Sequence, residues 1–134
     1  MKVTVKGLRK KRHDEDIETV NSFLKFLQDE APLKNDIKVD FVSEKNENMT
    51  TGVRFGNSHI LVLDGKRMLI DVLRTLAHEW VHEFQHQQLG LSEKAKIQNI
   101  GGPVENMCNI LAGIFIKKFE KKFPKYQKSL YGEL

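Results

Sequence analysis

The sequence has a single cysteine, Cys108, so no disulfide can close within the chain, as is usual in a reducing compartment. Long apolar runs are also missing. The longest one, from 110 to 116, is far shorter than the roughly 20 residues of a membrane-spanning helix. The basic N-terminal residues are not followed by the apolar segment of a secretion signal. These absences predict a soluble, cytoplasmic protein with no membrane contact.

The overall composition is that of an ordinary globular protein, with 40% hydrophobic and 30% charged residues. The chain has 134 residues, which is in the commonest range for one domain. Internal repeats, low-complexity tracts and interdomain linkers are not evident. We therefore expect a single domain over residues 1–134.

The net charge of +4 comes largely from two basic segments, 6–12 and 117–128. One interpretation is a polyanionic partner such as nucleic acid. The other is a solvated helix face, with lysines placed favourably near a helix C-terminus. Aromatic residues that would stack on bases do not interleave with the N-terminal cluster. The solvated face is therefore the favoured interpretation.

Apolar periodicity in the first half of the chain predicts one helix and three strands. Asp14 is expected to cap a helix over about 14–30, whose apolar residues recur with helical spacing before Pro32. Alternation over 37–41 is typical of a half-buried strand. Two further strands, 51–55 and 59–63, flank a turn-forming group and predict a hairpin.

Helical patterns dominate the second half. One helix is expected from about 68 to 89, ending before Gly90, and a short one after Ser92. The last should run from about 103 to 123, with Pro103 in its first turn. Its first half is apolar on almost all sides, which predicts burial between other elements.

Three of the five histidines lie close together in the helix predicted over 68–89, and two of them enclose the pattern H-E-x-x-H. At about 100° per residue, His82 is displaced only about 40° from His78 and lies one turn further along, so both imidazoles can reach one metal ion. Glu79 lies at the edge of the same face, where a carboxylate can contact a metal-bound water without ligating. Two histidines on a surface helix by chance are the alternative. The glutamate in the required position favours a metal site.

A catalytic zinc ion usually has three protein ligands and a water. His86 fails as the third, because it lies about 12 Å along the helix axis from His78. Glu105, in the first turn of the last helix, is the best placed after a reversing loop, and Glu93 and Glu120 are poorer choices. The alternative role of Glu105 is to stabilise the helix dipole.

The words LAHEWVHEFQH at 76–86 and PVENMCNILAG at 103–113 resemble the gluzincins, and among them the small single-domain metallopeptidases of the IrrE-like kind. SprT-like DNA-associated proteases share the strand-then-helix arrangement but differ more in the third ligand. The resemblance covers roughly 51–115. It implies an α+β fold, a small zincin-like domain in which a short three- or four-stranded sheet packs on an active-site helix and a C-terminal helix. Larger gluzincins often carry, four residues after the ligand glutamate, an aspartate that orients a histidine. Here that position is Asn109, which is uncharged.

These features predict a zinc metallopeptidase acting on a peptide or protein substrate. A zinc-activated water would attack the scissile carbonyl, with Glu79 as general base and no acyl-enzyme. The resemblance implies that an extended peptide adds to the edge of the strand at 59–63. Candidates for stabilising the oxyanion are His59, Tyr126 and Tyr131. The alternative function is a non-catalytic zinc-binding regulatory module that engages nucleic acid or a protein through its basic helix ends.

Overall fold

The computed structural model describes residues 2–8, 13–44, 51–65, 67–89 and 103–132. These form the expected α+β fold, in which a four-stranded sheet packs on helices. The strands are β1 (Val3–Lys6), β2 (Ile37–Val42), β3 (Gly52–Phe55) and β4 (His59–Leu63). The helices are α1 (Asp14–Glu30), α2 (Leu69–Leu89), α3 (Pro103–Lys122) and α4 (Gln127–Tyr131), with a 3-10 turn (Pro124–Tyr126) before α4. None of the helices in the described ranges is long and apolar enough to cross a membrane.

The strands form one mixed sheet in the order β1-β2-β4-β3. β2 runs parallel to both β1 and β4, while β3 and β4 form the predicted antiparallel hairpin, with Gly52 opposite Val62. Because β4 lies between β2 and β3, it has no free edge. The expectation that a peptide adds to the strand at 59–63 is therefore wrong, and among the described strands β3 forms the edge on that side of the sheet.

Strand β1 was not among the predicted elements. Val3 and Val5 do alternate with polar residues, but the run has only four residues and adjoins the basic cluster. Its pairing partner is distant in the chain: Val3 lies opposite Ile37 and Val5 opposite Val39. Gly7 ends the strand with a positive φ of 88°. A Cβ there would lie 2.0 Å from the carbonyl oxygen of Phe41, so only glycine allows the chain to pass so close to β2.

The three long helices match their predicted positions to within about two residues. One correction concerns the start of α1, where His13 is the N-cap and Asp14 the first helical residue. Asp14 thus stabilises the positive end of the helix dipole instead of capping it. At the other end, the carbonyl of Ala31 accepts a hydrogen bond of 2.9 Å from the indole N–H of Trp80 on α2. Gly90 and the short helix predicted after Ser92 lie outside the described residues.

The buried apolar side chains form one cluster between the inner face of the sheet and helices α1, α2 and α3. Val39, Phe41, Ile60 and Val62 line the sheet side. Aromatic side chains join α1 to α3, with the ring centroids of Phe23 and Phe119 5.0 Å apart in an edge-to-face arrangement. This core holds α2 against the sheet on one side and against α3 on the other.

Burial of α3 differs from the prediction. On its inner face the side chains of Cys108, Ala112 and Phe119 are buried, but Ile110 and Ile114 are 62% and 44% exposed. The expectation that the first half of this helix is buried on almost all sides is therefore wrong. A helix with one packed face, lying at the outside of the layer, needs no apolar residue at these two positions.

Candidate metal centre

His78 and His82 lie one turn apart on α2, as their spacing requires. Their ring centroids are 4.9 Å apart at an interplanar angle of 71°. The side chain of His82 is 3% exposed and that of His78 is 18% exposed. The pair therefore occupies a helix face that is covered at His82 and reachable from solvent at His78.

Glu105, in the first turn of α3, points its carboxylate at both imidazoles. Its Oε1 lies 2.6 Å from Nε2 of His78, and its Oε2 lies 3.0 Å from Nε2 of His82. The side chain is 29% exposed, so this side of the cluster borders solvent. Packing of α3 on α2 thus brings together three residues that stand on two helices.

The donor set suits zinc. The candidate ligand atoms of His78, His82 and Glu105 all lie within 4.8 Å of one another. That is close to the span that one zinc ion bridges with bonds of about 2.0 to 2.2 Å. Two imidazoles and one carboxylate are also a ligand set found in catalytic zinc sites, which leave a fourth position for water or substrate. Within the described ranges, no other group of His, Cys, Asp and Glu side chains converges in this way.

Glu79 is buried, at 6% exposure, and directly follows His78 on α2 without belonging to the converging group. Strand β3 packs directly on it. A Cβ on Gly52 would lie 3.2 Å from Cγ of Glu79 and 2.6 Å from Cγ2 of Thr75. Glycine at 52 therefore lets strand β3 approach the helix at the level of Glu79.

A buried ion pair next to the centre was missed by the sequence reasoning. Nε of Arg54 on β3 donates to Oε1 of Glu83 on α2 over 2.6 Å, and both side chains are almost fully buried. The second oxygen of Glu83 accepts hydrogen bonds from Ser58 and Gln87. The sequence offered only a second glutamate directly after His82. Arg54 stands between Val53 and Phe55, so strand alternation alone would direct it away from the core.

Several candidate residues lie elsewhere. His86 is exposed on α2 and is not in the converging group. His59 pairs with Asp40, with 2.6 Å between Nε2 and Oδ2. Because side chains alternate along a strand, His59 lies on the sheet face opposite buried Ile60, away from α2. His59 is thus not placed to stabilise an oxyanion at the centre.

The two tyrosine candidates are also engaged elsewhere. The hydroxyl of Tyr126 is 2.7 Å from that of Ser22 on α1. Tyr131 donates a hydrogen bond to Glu120, and this bond raises the pKa of the tyrosine above its usual value of 10.0. Glu120 therefore accepts its hydrogen bond at the end of α3 that is remote from Glu105.

The remaining candidates add little to the centre. Asn109 is exposed, and among the described contacts it makes no hydrogen bond to either histidine. Glu93, the other alternative ligand, lies outside the described residues.

Comparisons with known proteins support the fold. No family model and no curated protein matches the chain. A crystal structure of a Wss1 mutant from Saccharomyces cerevisiae is similar, with a TM-score of 0.52. The alignment covers 94% of this chain and 94% of that chain, at 8% sequence identity. At that identity, the likeness concerns the fold alone.

Proposed function

We propose that the protein is a zinc-dependent metallopeptidase. The observation that carries the proposal is the convergence of two α2 imidazoles and the Glu105 carboxylate, with the buried residue Glu79 directly after His78 on α2. A purely structural zinc site needs no base and usually closes its fourth position with protein. A third protein ligand with an adjacent carboxylate favours hydrolysis.

His78, His82 and Glu105 would hold the ion. Zinc bound there would supply Lewis-acid chemistry, by lowering the pKa of water and polarising the scissile carbonyl. Glu79 accepts the proton of the attacking water and passes it to the leaving amine, as general acid–base catalysis requires. Its burial places this proton transfer in a low-dielectric environment, where the interaction with developing charge is stronger than in water.

The substrate class proposed is an extended peptide. Among the described strands β3 lies at the edge of the sheet, and a peptide can bind along an edge strand by adding a further strand. Gly52, which packs on Glu79, belongs to this strand. A peptide bound along β3 therefore passes close to the proposed base.

Zinc content tests the proposal most simply. Purified protein is expected to carry about one zinc ion per chain, since the three converging residues complete a catalytic ligand set. His78→Ala or His82→Ala should abolish binding, whereas exposed His86→Ala serves as the matched control. Atomic absorption gives the stoichiometry. Equal zinc content in all four proteins would contradict the proposed centre.

One observation favours a second candidate, a zinc-binding module that engages nucleic acid. Exposed lysines cluster at the end of α3 and beyond: Lys117, Lys121, Lys122, Lys125 and Lys128. If they contact phosphates, binding to a DNA duplex should weaken with salt. Changing three of them to Gln should reduce the slope of log K against log salt by about 2.7, at about 0.9 per contact.

Fluorescence anisotropy at several salt concentrations measures that slope. An unchanged slope in the triple variant would reject the lysine cluster as a nucleic-acid surface. Peptide hydrolysis by the same variant should stay at the wild-type rate, because the cluster lies at the opposite end of α3 from Glu105.

A further inference from the structure

The pair Arg54–Glu83 is energetically unusual. Glu83 is 0% exposed and Arg54 is 5% exposed, so both charges are removed from water. Such pairs recover their desolvation cost only with good geometry and further hydrogen bonds, and apolar residues of similar size often serve stability equally well. What a charged pair adds is a directional constraint between the two elements that carry it.

Glu83 receives hydrogen bonds from several parts of the fold. Its Oε1 accepts from Arg54 on β3, and its Oε2 accepts from the hydroxyl of Ser58 over 2.8 Å. Ser58 lies in the β3–β4 turn with a positive φ of 58°, a conformation that favours glycine. The hydrogen bond therefore ties the hairpin turn to α2 as well.

A third connection runs through Gln87, one turn further along α2. Its amide donates to Glu83, and its Oε1 accepts from the backbone N–H groups of Lys34 and Asn35 over 2.7 and 2.9 Å. Glu83 thus links strand β3, the hairpin turn and the connection between α1 and β2. All three are anchored to the residue that directly follows His82.

The position of these links relates them to the centre. Arg54 stands two residues after Gly52, which packs on Glu79, and Glu83 stands one turn after Glu79. Pulling Arg54 onto Glu83 sets the height of β3 above α2. Peptide alignment depends on this height, since a misplacement of about 1 Å can cost about 100-fold in rate.

We propose that Arg54 and Glu83 are positioning residues, which hold edge strand β3 where a peptide bound along it lies across His78 and His82. The inference rests on the proposed peptidase function, and it concerns how the substrate is aligned. The metal ligands do not require the pair directly.

Binding of two hydroxamates to zinc-loaded protein separates alignment from metal binding. The affinity for acetohydroxamate depends on the metal alone, whereas the affinity for acetyl-Leu-Ala-Leu hydroxamate depends on the metal and on contacts with the β3 edge. We call the affinity for the tripeptide hydroxamate divided by the affinity for acetohydroxamate the tripeptide advantage. In Glu83→Gln and Arg54→Met this ratio should fall by about tenfold, as expected when two or three main-chain hydrogen bonds are misaligned. Affinity for acetohydroxamate and zinc content should not change.

Matched controls are Glu18→Gln and Arg74→Met, which change the same side chains at exposed positions. A milder variant, Ser58→Gly, removes one donor to Glu83 while allowing the positive φ, and should lower the tripeptide advantage less. Amide hydrogen exchange gives a second readout. In Glu83→Gln, exchange should accelerate in 52–55 and stay unchanged in 78–82.

The outcomes are distinct. An unchanged tripeptide advantage in both buried-pair variants overturns the inference, as does a fall in acetohydroxamate affinity of equal size. If the wild type binds acetohydroxamate but gains nothing from the tripeptide, the metal centre stands and the alignment role of β3 is rejected. If the zinc-loaded wild type binds neither hydroxamate, the proposed function itself fails.

Discussion

At the scale of single residues, the candidate ligands differ in exposure. His82 is sealed by its surroundings, whereas His78 and especially Glu105 border solvent. An ion held by all three would be supported from the core side by His82 and approached from the side of Glu105. This asymmetry is what a catalytic site with an exchangeable fourth position requires.

Glu105 and His86 give the sharpest comparison at this scale. Glu105→Ala should weaken zinc binding by more than the roughly 10- to 100-fold that loss of an outer-shell partner costs. His86→Ala should leave affinity unchanged, because His86 is exposed and outside the converging group. Competition with a chelating dye measures both affinities. The reverse ranking would reject Glu105 as the third ligand.

The spacing of residues along the sequence was enough to predict the part of the centre that lies on one helix. The positions of His78, Glu79 and His82 on one helix follow from helical geometry alone. The need for a third ligand predicts Glu105, and the structure places its carboxylate at His82, 23 residues away in sequence. Arg54 and Glu83 could not be paired in advance, because charged residues are read as exposed unless tertiary contacts bury them.

At the scale of secondary structure elements, the approach of β3 to α2 shapes the centre. The two short runs at 51–55 and 59–63, on either side of a turn-forming group, were sufficient to predict a hairpin, but not which of the two strands lies at the edge of the sheet. That depends on pairing of β4 with β2, a long-range contact with no local signal. The same limit explains the missing β1, whose partner begins 34 residues away, at Ile37.

Gly52→Ala tests the close approach of these two elements. Its Cβ would overlap with Thr75, so we expect a loss of about 1 to 3 kcal/mol in the free energy of unfolding and slower peptide hydrolysis. Adding Thr75→Ser removes the Cγ2 methyl group, keeps the hydroxyl that Arg67 contacts, and should restore most of the loss. Denaturant unfolding of both variants gives the coupling energy.

Gly113→Ala on α3 is the matched control for this cycle. No atom lies within 4 Å of a Cβ built there, and alanine stabilises a helix interior by about 0.5 to 1 kcal/mol relative to glycine. Gly113→Ala should therefore increase stability. If Gly52→Ala were as stable as Gly113→Ala, the packing of β3 on α2 would differ from the one described.

At the scale of the whole molecule, the predicted α+β class is confirmed, and the predicted elements that fall in the described residues occur in the expected order. The fold is shared with a protein of 8% identity. Periodicity predicts helices and strands because burial of one face is a local requirement. Periodicity does not predict that Ile110 and Ile114 are exposed, because their exposure depends on which elements pack against α3. Function has to be argued from the centre, because one fold supports many activities.

The most direct measurement for the central claim is the turnover rate of zinc-loaded Glu79→Gln relative to wild type on the same peptide. Glutamine keeps the size of the side chain but cannot accept the proton of water. With zinc content equal, we predict that kcat falls by about 10² to 10⁴, the usual contribution of a general base. A loss of less than tenfold at equal zinc content would contradict the assignment of Glu79 as the base.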